Sequence, residues 1–369
     1  MQNTVEQLHE FGQSIWLDFI DRTFIKSGQL KALMENDGVR GITSNPAIFE
    51  KAISTSSDYN DDITAFAEKP NDELFFEIAV KDIQQAADLL KPVFDEEDGG
   101  DGYVSLEVSP RLAADTKGSI EQARVLWKKL NRKNVMIKIP GTVQGLPAIQ
   151  QCISEGININ ITLLFSLDRY KAVTEAYLKG LEERLERGED ISQVASVASF
   201  FLSRIDTLID PILSKKGLND LQGQTAIASA KLAYEIYKRV FNSARWKKLK
   251  EKGAKTQRLL WASTSSKNPS FKDTKYVDAL IGPHTINTVP IETLKAFLDH
   301  GKPSLSLEKD IDHATSVMGN IKTAGIDIDQ VTNQLESEGI EKFNQPFDKL
   351  LEAIGKQKKE SRYHSHAHG

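Results

Sequence analysis

Lys138 lies within NVMIKIPGT, flanked by Val135, Met136, Ile137, Ile139 and Pro140. An ammonium group in an apolar strand has two readings. Most lysines in strands are solvated along one face. A lysine held in a dry pocket can instead offer a neutral, nucleophilic amine. On its own window the solvated reading is the favoured one, and only the other β-like runs can reverse it. Polar or ionisable residues recur near the ends of nearly all of them: Asp18 in SIWLDFI, Thr43, Ser44 and Asn45 in VRGITSNP, and Glu107 in YVSLEVSP. Asn160 and Thr162 stand in ININITLLFS, and Ser199 and Arg204 in VASVASFFLSR. Ser263, Thr264 and Ser265 close RLLWASTS, with Lys267 just beyond.

Taken singly, each has a plain explanation. Asn45 before Pro46 suits a helix cap, Asp18 a turn cap, and Glu107 an ion pair with Arg111 four residues on. Taken together they suit imine chemistry. An amine attacks a ketone, the carbinolamine loses water, and the protonated imine is an electron sink for C–C cleavage. That sequence needs one acid/base group during imine formation and a second base for a substrate hydroxyl. Glu107 and Asp18 are the candidates. Nearby carboxylates favour the charged amine, so burial has to outweigh them for Lys138 to act as a nucleophile.

Such convergence requires a scaffold that aims many strands at one centre. The β-like runs cover residues 14–20, 39–46, 103–110, 134–141, 157–166, 194–204, 258–264 and 284–290, and amphipathic helical segments separate them. Eight alternating βα units predict a parallel α/β fold closed as a (β/α)8 TIM barrel, with additional N- and C-terminal helices. An open doubly wound sheet is the alternative. It is disfavoured because no Gly-x-Gly-x-x-Gly follows the first strand. One barrel domain is expected over residues 1–356. Residues 357–369, GKQKKESRYHSHAHG in part, read as a disordered polar tail with spaced histidines whose nativeness the sequence leaves open; metal binding there would be incidental.

The chain has 369 residues with 47 Lys+Arg against 52 Asp+Glu, a net charge of −5. This balance argues against nucleic-acid binding through bulk charge, while a local basic phosphate site remains compatible with it. The single cysteine, Cys152, reads as helix core and allows no internal disulfide. No apolar run approaches the roughly 20 residues that span a bilayer, and no signal peptide is evident. A cytoplasmic protein with no membrane partner is expected, of undetermined oligomeric state.

GITSNPAIFEKAI, VSLEVSPRLAAD, VMIKIPGTVQGLPAI, GININITLLFS and SFFLSRIDTLID, in that order, resemble the transaldolase family in its longer bacterial form. WLDFIDR and the segment from WASTSSKN to HTINTVP extend the resemblance over about residues 10–350. It implies a dihydroxyacetone unit passed between sugar phosphates in the pentose phosphate pathway, without metal or organic cofactor. It further implies Lys138 as the Schiff-base lysine, Glu107 as the carboxylate working through a water, and Thr162 as a holder of that water. Asp18 corresponds to the group handling the C4 hydroxyl proton, and Asn45 and Asn160 to amides holding substrate hydroxyls. Ser199 corresponds to a residue near the C1 hydroxyl, and Arg204 to a phosphate ligand. A second phosphate-site arginine of shorter members is missing here, and Ser265 and Lys267 are its expected stand-ins. Fructose-6-phosphate aldolases of the same superfamily carry Gln and Tyr where this chain has Glu107 and Phe201, so both residues favour transfer over release. A noncatalytic sugar-phosphate binder is the remaining alternative.

Overall fold

The computed structural model describes residues 1–367, with side chains through residue 361. Eight strands form one closed, all-parallel barrel in sequence order. They are β1 (Gln13–Asp18), β2 (Ile42–Thr43), β3 (Val104–Glu107), β4 (Val135–Pro140), β5 (Ile159–Leu164), β6 (Ser196–Phe201), β7 (Arg258–Ala262) and β8 (Thr285–Val289). Seven fall within one of the eight β-like runs, and β1 begins one residue before its run. Strands of a parallel barrel are covered on both faces, which is why they read as nearly continuous apolar segments rather than alternating ones. The helix-spaced segments form the outer ring, and several begin with a side-chain cap at their N-terminus, two of them directly after the strand. Asn45 accepts from Ile48 N at 3.0 Å, Asp115 from Gly118 N at 2.8 Å, and Ser166 from Arg169 N at 3.0 Å. A cap close behind a strand ends the strand sharply and leaves its last side chains at the mouth.

Two local features shape the interior. Before β2, a side chain on Gly41 would put its Cβ 2.4 Å from the ring of Trp16, so only glycine lets the indole fill the barrel there. In β5, the register to β6 runs Ile161 to Ala198 and then Leu164 to Phe200, which leaves one extra residue on β5. Leu163 takes this bulge at φ +60°, a conformation costly for a branched side chain. Thr162 faces the mouth cavity, while Leu163 packs where a Cβ on Gly339 would be only 2.9 Å away.

The N-terminal end of the barrel is tied shut by polar bonds. Asp101 accepts from Trp16 Nε1 at 2.7 Å and from Ser14 Oγ. Arg258 donates to Ser14 Oγ at 2.9 Å and to Thr285 O at 2.7 Å. The acidic, glycine-rich run at 95–102 therefore has a structural role, with Glu97 also paired to Arg40 at 2.6 Å. A cavity of about 390 Å³ opens at this end. It is larger than the one at the C-terminal mouth, but in this fold the N-terminal face serves stability and chemistry gathers at the other.

Beyond the eight βα units, a short helix (Thr4–Glu10) precedes the barrel and two helices follow it, Ile311–Thr323 and Ile328–Ala367. The last corrects one expectation: residues 357–367 continue as helix rather than as a disordered tail. Lys358 Nζ anchors this stretch to Lys69 O at 2.5 Å and Asn71 Oδ1 at 2.9 Å. The long helix therefore gains fixed partners that a polar sequence alone does not reveal. The side chains of His364 and His366, and all of His368, lie outside the described residues. Among the described residues, no helix is long and apolar enough to cross a membrane.

Candidate active site

A cavity of about 170 Å³ occupies the mouth formed by the strands' C-terminal ends. Asp18, Asn45, Lys138 and Thr162 line it from β1, the β2 end, β4 and β5. Ser199, Phe201 and Arg204 line it from β6 and the start of the next helix, and Ser265 and Lys267 from the loop after β7. Two expected residues sit behind this wall instead. Glu107 and Asn160 stand beside Lys138 in the strand register, one on each side.

Lys138 is buried, 5% exposed, and its Nζ donates to Ser44 O at 2.9 Å. Ser44 is held in turn by its hydroxyl, which donates to Ser105 O at 2.7 Å. Edge-strand solvation is thereby excluded for this lysine. Asn160 donates to Ser105 Oγ at 3.0 Å and accepts from Ser199 Oγ at 2.7 Å, so both side chains are preoriented by one another. Asn45 combines two roles that its sequence left open: it caps the helix over Pro46–Thr55 and also faces the cavity. Glu107 makes no pair with Arg111, which reaches Asp348 at 2.6 Å instead. Nor does Asp18 cap the segment that follows; Asp21 caps the helix over Arg22–Lys26, accepting from Phe24 N at 2.6 Å.

The electrostatics follow from burial. Desolvation drives the Glu107 carboxyl up to about 7, with Lys138 pulling it back and Asp18 pushing it further. Both its carboxylate oxygens are buried without a hydrogen-bond partner among the described residues, as is the Thr162 hydroxyl. Desolvation also raises Asp18 above the usual aspartate range, opposed by Lys138, the Thr43 hydroxyl, Arg204 and Lys267. Two carboxyls lifted beside one lysine are the pattern of a proton-handling site.

Arg204 occupies one wall, its guanidinium 5.4 Å from the Phe201 ring centre and 5.9 Å from that of Phe343. Its Nη1 is buried and unpartnered among the described residues, and burial lowers its pKa against the pull of Asp18 and Glu338. A buried donor of this kind calls for an anion. Lys267 Nζ lies 2.9 Å from Ser265 Oγ on the exposed side. If the two hold a phosphate with Arg204, Lys267→Ala should raise KM for phosphorylated substrates about fivefold and leave unphosphorylated ones nearly unchanged. Steady-state kinetics on both substrate types checks this; equal effects would remove Lys267 from the phosphate site.

Phe343 and Thr288 also line the cavity and were not singled out from sequence. Phe343 comes from the helix over Ile328–Ala367, and nothing in its local pattern shows that this helix reaches the mouth. Thr288 was findable, because it pairs in register with Trp16, two residues before Asp18 and so on the same inward row.

Fold and mouth together define a (β/α)8-barrel enzyme. Residues 15–354 match the family model described as transaldolase/fructose-6-phosphate aldolase. A transaldolase of Trichodesmium erythraeum is 48% identical over 367 residues, which span 95% of this chain and 97% of that protein. Transaldolase 2 of Nostoc punctiforme is 48% identical over 368 residues, with the same coverage. A transaldolase of Frankia alni is 45% identical over 363 residues, 97% and 98% of the two chains. The chain belongs to the transaldolase/fructose-6-phosphate aldolase family.

Proposed function

We propose that this protein is a cytoplasmic transaldolase that moves a dihydroxyacetone unit between sugar phosphates through an imine on Lys138. The observation that carries this reading is the lysine itself. It is buried, aimed by Ser44 O, and set between carboxyls on β3 and β1 whose pKa values are raised.

In the reaction, Nζ attacks the C2 carbonyl of sedoheptulose 7-phosphate or fructose 6-phosphate. Glu107, acting through a water, protonates the carbinolamine hydroxyl as it leaves. The unpaired Glu107 oxygens and Thr162 hydroxyl support a water in that role, because buried polar atoms are normally satisfied. Asp18 then takes the C4 hydroxyl proton while the C3–C4 bond breaks and its electron pair flows into the iminium, leaving an enamine. The aldose phosphate departs. Glyceraldehyde 3-phosphate or erythrose 4-phosphate enters as acceptor, and the same steps run backwards. Because the iminium is the electron sink, the chemistry asks for no metal or organic cofactor.

Borohydride added with fructose 6-phosphate should fix a dihydroxyacetone adduct on the peptide containing Lys138, detectable by mass spectrometry. Absence of the adduct, or its appearance on another lysine, would sink the mechanism.

A further inference from the structure

Two threonines that no step above uses are joined to the proposed base. Thr43 Oγ1 lies 2.7 Å from Asp18 Oδ1, and 2.7 Å from Thr288 Oγ1. The three residues come from β2, β1 and β8, so the chain of hydroxyls spans the barrel's interior across β1. Thr288 is itself steadied by Thr264, whose hydroxyl donates to Thr288 O at 3.0 Å. Thr43 and Thr288 are almost fully buried, at 2% and 4% exposure.

Proton counting sets the direction. A hydroxyl has one proton to donate and lone pairs to accept with. A carboxylate can only accept, so the Thr43 proton belongs to Asp18 Oδ1. The contact between the threonines then has to be filled by the Thr288 proton. The result is a one-way relay, Thr288 to Thr43 to Asp18. It occupies Oδ1, while among the described residues no donor is hydrogen bonded to Oδ2.

We infer that Thr43 and Thr288 are positioning residues that present Asp18 Oδ2 to the substrate as the single proton-accepting oxygen. The inference rests on the proposed role of Asp18 as base for the C4 hydroxyl. The relay also favours the ionised carboxylate, in company with Lys138 on β4, Arg204 after β6 and Lys267 after β7. Burial and the Glu107 charge on β3 oppose them. Loss of the Thr43 proton therefore tips the balance towards the protonated, inactive acid.

The test is the pH profile of fructose 6-phosphate cleavage in single turnover. Thr43→Val, which keeps the shape and removes the donor, should slow cleavage about tenfold and move the acid limb up by about one pH unit. Thr43→Ser should restore both. Thr288→Val should shift the limb in the same direction but less, because it removes only the group that orients Thr43. Borohydride trapping of the Lys138 adduct should persist in every variant, since imine formation precedes the step Asp18 serves. An unshifted limb in Thr43→Val, or a Ser variant as slow as the Val variant, would reduce these threonines to packing and overturn the inference. A wild-type protein that forms no adduct would instead overturn the Schiff-base reading beneath it.

Discussion

Lys138→Met should abolish turnover, by about 10⁴-fold or more, while leaving the protein at least as stable as before. The two halves of that result have separate causes. The methionine has no amine, so no imine forms and the electron sink disappears. Burying a lysine amine is costly, and against that gain its removal leaves Ser44 O without its donor and takes away the interaction that opposes the raised Glu107 and Asp18 carboxyls. Met fills nearly the same volume among the apolar neighbours of Lys138, and volume-conserving exchanges are the best tolerated. Coupled assays for erythrose 4-phosphate formation, read beside thermal denaturation, check both halves. Retained turnover would remove Lys138 from the chemistry. A melting temperature that falls with activity would show instead that the substitution merely unfolds the barrel.

Glu107→Gln should slow imine formation about 10²-fold or more and erase the titration near neutrality expected of the wild type. Burial lifts the Glu107 carboxyl to about 7. Below that pH the group is protonated and can hand its proton, through water, to the leaving carbinolamine hydroxyl. Above it the carboxylate has none to give, so adduct formation should fall as pH rises through about 7. Glutamine keeps the size and hydrogen-bonding reach but cannot titrate. Single-turnover trapping across pH 5.5 to about 8.5 checks this; a variant that keeps the same limb would assign it to another group.

The barrel was legible because its strands and helices write different periods into the chain, and each of the eight strand runs overlaps an observed strand. Nine of the eleven residues expected at the site face the cavity for a related reason: most side chains at the C-terminal ends of a parallel barrel's strands look into its mouth, and Glu107 and Asn160 are the two that stand behind the wall. What stayed hidden depended on distance along the chain. Glu107 beside Arg111 looked like a local pair, yet the arginine belongs to Asp348, 237 residues away. Phe343 reaches the cavity because a long helix crosses to it, which no local period encodes. The polar tail looked disordered because its helix is anchored by Lys69 and Asn71, near the other end of the sequence. Lys138 itself looked like a solvated strand residue in its own window, and only the groups of other strands made it a candidate nucleophile.

The ring closure between β1 and β8 has a consequence for folding. Lys138 and Glu107 sit on neighbouring strands 31 residues apart in the chain, whereas Thr43 and Thr288 meet across 245 residues. Closing so long a loop is entropically costly and comes late, since the loss of chain freedom precedes the contacts that repay it. A partly folded chain can therefore hold its nucleophile beside Glu107 before its base is oriented. Recovery of C–C cleavage during refolding then times the last event, the meeting of the first and eighth strands, whereas the helical signal reports on earlier ones.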